Sequence, residues 1–558
     1  MMKKRSLLLI DTIILGVVGA LGARFFDFLV NIIQKYSLQL LGGYNPPQPV
    51  NETNGLWGVV GSHGLIFIPL VVIVGGLISG FLVYTWAPEA EGHGTDTVVK
   101  AFHQAEGKIR KRVTPIKILA SAVTIGTGGS AGKEGPTALF SAGIGSIYAS
   151  FVKRSDDYRR TIILIGMAAG LSAIFRSPIG TAIFAIEVLY NEMEFEASAL
   201  LYTMLASIIA YAINGIFVGW KPLFQIPSNL GITKFSDYSL YALLGIASGI
   251  ISTIIPVVFY GMRDLFHKIP IKPHFKPAIG AAGVGLIALA YPQVLGGGYG
   301  WIEKAINGEL VVSVMLILIF MKLIAFALTV SSGGSGGVFA PTLFVGAMLG
   351  GFLAVVLHQA PAAFTVVGMA AVFGSAARVP IATLLMVTEM TGGYKLLVPA
   401  ALSVILAFLI QDLLSKKLKY KSLYEAQVKT IADSPVHVVS HLRTVVKLLS
   451  EKNSFKGIDV GHLDFVSLIK SGIPLDLPDD KKLFIGVIEK KSKCIGSMIK
   501  DYCLYEEERS WEIAGILRDQ HLIIPHSNTV LEEKDQLIIF GTKRSVEKLK
   551  EKLLVQSP

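Results

Sequence analysis

Leu323 to Ala377 reads LIAFALTVSSGGSGGVFAPTLFVGAMLGGFLAVVLHQAPAAFTVVGMAAVFGSAA. It contains no Asp, Glu, Lys or Arg, and His358 is its only titratable side chain. A bilayer span needs about 20 apolar residues, so the stretch is too long for one helix and holds several, some of them short. The glycine-rich run Ser331-Ser332-Gly333-Gly334-Ser335-Gly336-Gly337 breaks it near its start. Four further stretches, Leu65–Pro88, Ala197–Trp220, Tyr238–Met262 and Pro277–Ile302, also lack all four charged residue types. Over 558 residues, 52% are hydrophobic and 16% charged, with mean hydropathy +0.58. Soluble domains carry about 25% charged residues, so this is a multi-pass membrane protein.

The start, Met1 to Gln34, has Lys3, Lys4 and Arg5 before an apolar run. A cleaved signal peptide has that outline, but Asp11, Arg24 and Asp27 interrupt the run. A first amphipathic or spanning helix is expected there. The net charge is +11, carried by Lys108-Ile109-Arg110-Lys111-Arg112, Lys153-Arg154, Arg159-Arg160 and Lys416-Lys417-Leu418-Lys419. Basic loops beside spans mark the cytoplasmic side, so this charge is expected to set orientation rather than bind nucleic acid. Both termini are expected in the cytoplasm, and the membrane is expected to be a prokaryotic plasma membrane. Cys494 and Cys503 lie in the polar tail and are expected to be free thiols.

Composition changes near residue 415. Alternating, strand-like pieces follow, among them Lys482 to Ile488 and Gln536 to Phe540. The expected division is a membrane domain over 1–420, a linker over 421–435 and a cytosolic α/β domain over 436–558.

The membrane part repeats itself. Gly166-Met167-Ala168-Ala169 returns 202 residues on as Gly368-Met369-Ala370-Ala371. At the same offset Arg176 matches Arg378, Pro178 matches Pro380, Thr181 matches Thr383 and Glu187 matches Glu389. A second block, at an offset of 205, pairs Gly129-Ser130 with Gly334-Ser335, Gly132 with Gly337 and Pro136-Thr137 with Pro341-Thr342. Two structural halves follow. Inverted halves around a midplane site are a common transporter plan, although the repeat alone fits parallel halves as well.

Each glycine-rich block precedes a Pro-Thr and a helical run inside the apolar region. Irregular backbone at membrane depth is tolerated where protein or water surrounds it. A helix that opens there offers free N–H groups and the positive end of its dipole, which hold an anion without a full positive charge. Such a site is weak enough to let the anion leave. Between Ile118 and Val152 the only charges are Lys133 and Glu134. An acid at membrane depth is costly, and one beside helix N-termini competes with an anion for the same N–H groups. When protonated it leaves them. Glu134 is therefore the expected gate and proton carrier.

Gly132-Lys133-Glu134-Gly135-Pro136, Gly337-Val338-Phe339-Ala340-Pro341 and Glu389-Met390-Thr391 together resemble the CLC family of chloride channels and chloride/proton antiporters, over about residues 5–430. The resemblance implies an all-α polytopic membrane domain with two inverted-topology repeats. It also implies a homodimer with one anion pathway per subunit, Glu134 as gating glutamate, and a central anion held by the backbone of Val338, Phe339 and Ala340. Lys133 and Gly135, on either side of the gate, are counted with them as anion-binding residues. Tyr424 matches the family tyrosine whose hydroxyl faces the anion from the cytosolic side.

Two departures stand out. Where the family commonly has Gly-Ser-Gly-Ile-Pro, this chain has Gly92-His93-Gly94-Thr95-Asp96. His93 and Gly94 then border the anion, and His93 either donates an N–H and adds a titratable group near pH 6.5 or caps the loop. Asp96 would repel an anion unless it points away. Second, the internal proton-relay glutamate of many family antiporters falls at Val188, which cannot carry a proton. Glu187 beside it is expected to be structural, and Glu192, Glu194 and Glu196 to lie in a solvated loop. The valine favours a passive chloride channel, gated by Glu134 through voltage or pH, with a proton antiporter using another internal route as the alternative.

The tail, through Gly496 to Asp501, Ile513 to Arg518, Ile523 to Pro525 and Asp535 to Gly541, resembles the C-terminal lobe of RCK (TrkA-C) regulatory domains over about 480–550. Such lobes dimerise, and the resemblance allows a small regulatory ligand that no residue identifies. No metal site, cofactor motif or catalytic set is recognised, so an enzyme is not expected. The expected partners are chloride or a similar small anion, protons, the lipid bilayer and a second copy of the chain.

Overall fold

The computed structural model describes residues 2–49, 64–227, 230–231, 234–431 and 434, and in the tail 475–477, 481–488, 492, 494–499, 511–518, 521–523 and 528–542. Cys503, Asp501, Pro525 and most of 435–480 lie outside the described residues. The chain divides into two compact units, Met1–Val428 and Lys429–Pro558.

The first unit holds sixteen α-helices among the described residues. Eight make the first half: α1 Met2–Gln34, α2 Ile68–Trp86, α3 Thr95–Gln104, α4 Val113–Gly126, α5 Glu134–Phe151, α6 Asp156–Phe175, α7 Pro178–Glu187 and α8 Leu200–Val218. Eight make the second: α9 Asp237–Lys268, α10 Lys276–Ala290, α11 Tyr299–Ile306, α12 Val312–Ser331, α13 Phe339–Val356, α14 Pro361–Ala376, α15 Pro380–Thr391 and α16 Leu397–Ser415. Eight of the described helices are long and apolar enough to cross a membrane. The uncharged stretch from Leu323 holds the end of α12, all of α13 and all of α14.

The repeated residues take the same places in each half. The Gly-Met-Ala-Ala blocks lie in α6 and α14, and Pro178 and Pro380 each open their helix at its first position, where a missing N–H costs nothing. Arg176 and Arg378 both turn the chain with positive φ, 54° and 56°. The halves meet at their glycines. Gly132 N–H donates to the Gly337 carbonyl at 2.8 Å, and Gly337 N–H donates back to Gly132 at 2.7 Å. These glycines are images of each other in the repeat, so an internal two-fold axis passes between them. α7 and α15 show the sense of that axis. Glu187, at the end of α7, bonds the start of α15, and Glu389, near the end of α15, bonds the start of α7. The two helices run antiparallel, so the halves are inverted.

α1 is long and apolar enough to span, as expected, and its acids are paired: Asp11 is buried and Asp27, partly buried, meets Lys133 and Arg24. Asp11 accepts two hydrogen bonds from Arg154, each of 2.9 Å, and one from Tyr148 at 2.7 Å. A buried carboxylate is stable only when paired in this way.

The segment 421–428, placed in a linker from composition, belongs to the membrane unit. Leu423 N–H donates to Ala376 O, Tyr260 Oη donates to Leu423 O, and Val428 N–H donates to Leu189 O. In the tail, β1 Leu475–Leu477, β2 Lys481–Val487, β3 Trp511–Arg518, β4 His521–Ile523 and β5 Gln536–Thr542 form one antiparallel sheet in the order β1-β2-β5-β3-β4. Ile513, Ile516, Leu537 and Ile539 pack in its core with the buried Cys494, whose Sγ lies 2.9 Å from the Ser492 hydroxyl. Arg518 bonds both oxygens of Asp535 at 2.8 Å, and that hydrogen bonding holds its guanidinium above the ordinary arginine range.

Candidate functional site

Four segments converge on the junction of the halves: the loop before α3, the start of α5, the start of α13 and the segment after α16. Gly135 shows how tightly. A methyl group on it would lie 2.0 Å from the His93 carbonyl oxygen and 3.0 Å from the Gly337 Cα, so only glycine fits.

The loop before α3 is held by a buried lysine. Lys117 donates from Nζ to the carbonyls of Ala90 and Gly92, at 3.0 and 2.7 Å. Gly94, with φ of 87°, turns the chain into α3, a conformation that favours glycine. His93 is buried, with its ring 5.3 Å from Tyr424 and 6.2 Å from Phe259. Its Nε2 lies 3.3 Å from Asp96 Oδ2, and its Nδ1 is buried without a hydrogen-bond partner among the described residues. The other Asp96 oxygen accepts the Ala426 N–H at 3.2 Å. Asp96 is therefore committed to His93 and to the segment carrying Tyr424.

Glu134 is the first residue of α5 and is buried. Its Oε1 accepts a hydrogen bond from the Tyr299 hydroxyl, while Oε2 makes no hydrogen bond of standard geometry among the described residues. The carboxylate lies beside the start of α13: a methyl on Gly132 would touch both Glu134 Oε2 and the Ala340 Cβ. Val338, Phe339 and Ala340 form that start and are buried. Helix geometry leaves their N–H groups without intrahelical acceptors, and Pro341 contributes none. The Phe339 ring packs at 4.3 Å from Phe175 and 4.1 Å from Phe373. Phe184 links Phe339 to Tyr424, with centroids 6.4 and 6.3 Å away. The structure thus brings His93, Gly94, Glu134, Gly135, Val338, Phe339, Ala340 and Tyr424 to one place.

Lys133 differs. Its Nζ lies 2.5 Å from Asp27 Oδ1, and Asp27 also pairs with Arg24 at 3.3 Å. Its ammonium is neutralised by α1 instead of standing free for the central anion. Val188 is wholly buried and closes α7, and Glu187 is spent on the N-terminus of α15. In the 192–196 loop, Glu196 accepts from the Tyr190 hydroxyl at 3.0 Å.

Two cavities flank this junction. One, of about 740 Å³, is lined by His93, Asp96, Lys100, Arg110 and Arg263. The other, of about 40 Å³, is lined by Lys133, Gly297, Gly298 and Tyr299. Glu134 is bonded to Tyr299 on the wall of the second, and Gly135 beside it abuts His93 on the wall of the first.

Tyr299 was missed from sequence, yet a signal exists. Lys322, 205 residues after Lys117, donates to the carbonyls of Val294 and Gly296 at 2.8 and 2.7 Å. This second lysine clamp places Gly298-Tyr299 as the image of Gly94-Thr95, so one half's helix start carries the partner of the other half's gate.

The sequence profile of the family described as "Voltage gated chloride channel" matches residues 75–412, and that of the TrkA-C domain matches residues 484–554. Among relatives, the H(+)/Cl(-) exchange transporters ClcA of Salmonella arizonae and Salmonella paratyphi B are each 29% identical over 379 residues, spanning 65% of this chain and 80% of the relative. Among solved structures, a CLC-type fluoride/proton antiporter superposes with TM-score 0.64 at 23% identity, covering 77% of this chain and 99% of its own. A slow cyanobacterial Cl−/H+ antiporter also gives 0.64, at 21% identity, covering 74% and 95%. A profile match over most of the chain, on a fold shared with those antiporters, means that the chain belongs to the voltage gated chloride channel (CLC) family and ends in a TrkA-C domain.

Proposed function

We propose that the protein is a proton-coupled exchanger of a small inorganic anion, chloride first among candidates, and not a passive channel. The observation that carries this is the seat of Glu134. Its carboxylate occupies the junction of α5 and α13, where an anion would take the free N–H groups. A carboxylate and an anion compete for that seat, and the carboxylate yields it most readily when neutralised by a proton. Proton uptake and anion entry are then linked events on one group. The names of the ClcA relatives support exchange over passive conduction. Val188 speaks for a channel by itself, but it excludes only one proton position.

The protein acts as a carrier, without resident cofactor or enzymatic step, as a homodimer in the cell membrane with both termini cytoplasmic. The tail modulates transport through its own dimerisation or a small ligand. The test is flux in liposomes. A chloride gradient across purified protein drives protons uphill if exchange is right, and Glu134→Gln abolishes that proton movement. Chloride movement with no proton movement in the unaltered protein would return the account to a channel.

A further inference from the structure

A buried phenol is costly unless its hydroxyl meets an acceptor. Tyr299 opens α11 and is only 9% exposed. Its hydroxyl donates to Glu134, the group that leaves its place when an anion passes. What the hydroxyl does then depends on whether Tyr299 follows.

Its surroundings hold it in place. Two residues on, Trp301 Nε1 donates to the Tyr44 hydroxyl at 3.0 Å. A methyl on Gly300 would lie 2.1 Å from the Pro47 carbonyl oxygen. One residue before, Gly298 has φ of 82°, and a methyl on it would lie 2.6 Å from the Phe344 ring. The Lys322 clamp on Val294 and Gly296 fixes the loop that leads in. The Phe224 ring packs 5.8 Å from the Tyr299 ring, and the Phe224 N–H is bonded to Met390 O at 2.9 Å. The start of α11 is thus tied to the segment after α1, to α12, to α13 and, through Phe224, to α15. The Glu134 carboxylate is the end of a flexible side chain. The gate leaves and the phenol stays.

We propose that Tyr299 is a specificity-determining ligand of the transported anion: its hydroxyl donates to Glu134 while the gate is seated, and to the anion that takes the gate's place. This rests on the shared seat argued above. The other donors of the seat are backbone groups. The N–H groups of Glu134 and Ala340, at the starts of α5 and α13, reach the carboxylate, and helix starts hold anions of many kinds. Lys133 adds no selectivity, because its ammonium is paired with Asp27. Tyr299 adds a side-chain O–H on a third helix, fixed independently of both others. Such a donor is directional. It favours an anion that accepts a short hydrogen bond and gives little to one whose charge is spread over several atoms. The seat then prefers chloride to a diffuse anion such as thiocyanate. Chloride accepts a weaker bond than a carboxylate oxygen, so the hydroxyl still favours the seated gate until Glu134 is protonated.

The test measures chloride and thiocyanate binding by calorimetry to the full-length protein carrying Glu134→Ala, which empties the seat, and to Glu134→Ala with Tyr299→Phe. Glu134→Ala is expected to bind chloride more tightly than the unaltered protein. Adding Tyr299→Phe is expected to weaken chloride by about tenfold, the scale of a lost hydrogen bond to a charged group, and thiocyanate by less. Unchanged chloride affinity overturns the proposal. So does an equal fall for both anions, which marks a deformed seat rather than a lost donor. If the double variant fails to elute as folded protein, Tyr299→Phe alone decides, titrated on the low-pH plateau of flux where the gate is neutral. A loss that falls mainly on chloride supports the proposal, and no loss or an equal loss overturns it. If Glu134→Ala binds chloride no more tightly than the unaltered protein, the shared seat itself is overturned, and this proposal with it.

Discussion

Glu187 accepts the backbone N–H groups of Ile381 and Ala382 at 3.2 and 2.7 Å, while Glu389 accepts those of Ile179 and Gly180 at 3.1 and 2.9 Å. Each half of the protein therefore caps a helix of the other. A carboxylate at a helix N-terminus satisfies orphan donors and complements the dipole, and inside a membrane no water is available to replace it. Glu389 has a further donor, the Ser177 hydroxyl, at 2.6 Å.

The reciprocal caps predict a pair of matched stability losses. Glu187→Gln and Glu389→Gln should each destabilise the membrane unit by about 1–2 kcal/mol, the scale of a lost cap. Thermal unfolding in detergent reads this. Because Glu187 is a cap, its variant should keep the proton-to-anion flux ratio of the unaltered protein. A lost ratio with unchanged stability would make Glu187 a proton carrier instead.

Tyr299 predicts a shift in pH dependence. Its hydroxyl donates to the seated Glu134 carboxylate, a bond that favours the ionised, closed gate. Tyr299→Phe removes a hydrogen bond to a charged group, about 1.5–3 kcal/mol. The gate is then more easily protonated, so the pH of half-maximal anion flux should rise by about one to two units, each unit being about 1.36 kcal/mol. Flux against pH in liposomes measures it, and an unmoved midpoint would separate Tyr299 from the gate.

The two buried lysines predict different failures from the same chemistry. Lys322→Met removes the donor to the carbonyls of Val294 and Gly296, whereas after Lys117→Met the carbonyls of Ala90 and Gly92 keep the Ser335 hydroxyl and the Gly336 N–H as donors. Each unsatisfied buried acceptor costs about 1–3 kcal/mol, so Lys322→Met should lower the unfolding temperature more than Lys117→Met does. Lys322→Met should in addition shift the flux midpoint as Tyr299→Phe does, because it loosens the loop carrying Tyr299. Lys117→Met should instead weaken chloride binding through the His93 loop. Calorimetric titration with chloride distinguishes the two.

Much of this was visible in the chain before folding. The matched blocks around Gly132 and Gly337 lie on the two-fold axis, and identity survives there because backbone contact tolerates only glycine. The clamp at Lys322 and the role of Tyr299 were not visible, because the image of Tyr299 is Thr95 and the two side chains do different work. The segment 421–428 was misplaced because Lys416, Lys417 and Lys419 look like the edge of the membrane. Its return is made by backbone hydrogen bonds, which composition does not record. Tyr424 could be placed only through family resemblance, whereas Asp96 looked repulsive until its two oxygens were seen turned to the His93 ring and bonded by the Ala426 N–H.

The most direct test of the account is proton movement against its gradient. Purified protein in liposomes, with a chloride gradient and no proton gradient, should drive protons in the direction opposite to chloride. Collapse of the proton gradient by an ionophore should speed chloride efflux, and Glu134→Gln should abolish the proton signal. Chloride efflux that is indifferent to the ionophore, with no proton movement in the unaltered protein, would contradict the account and leave a channel.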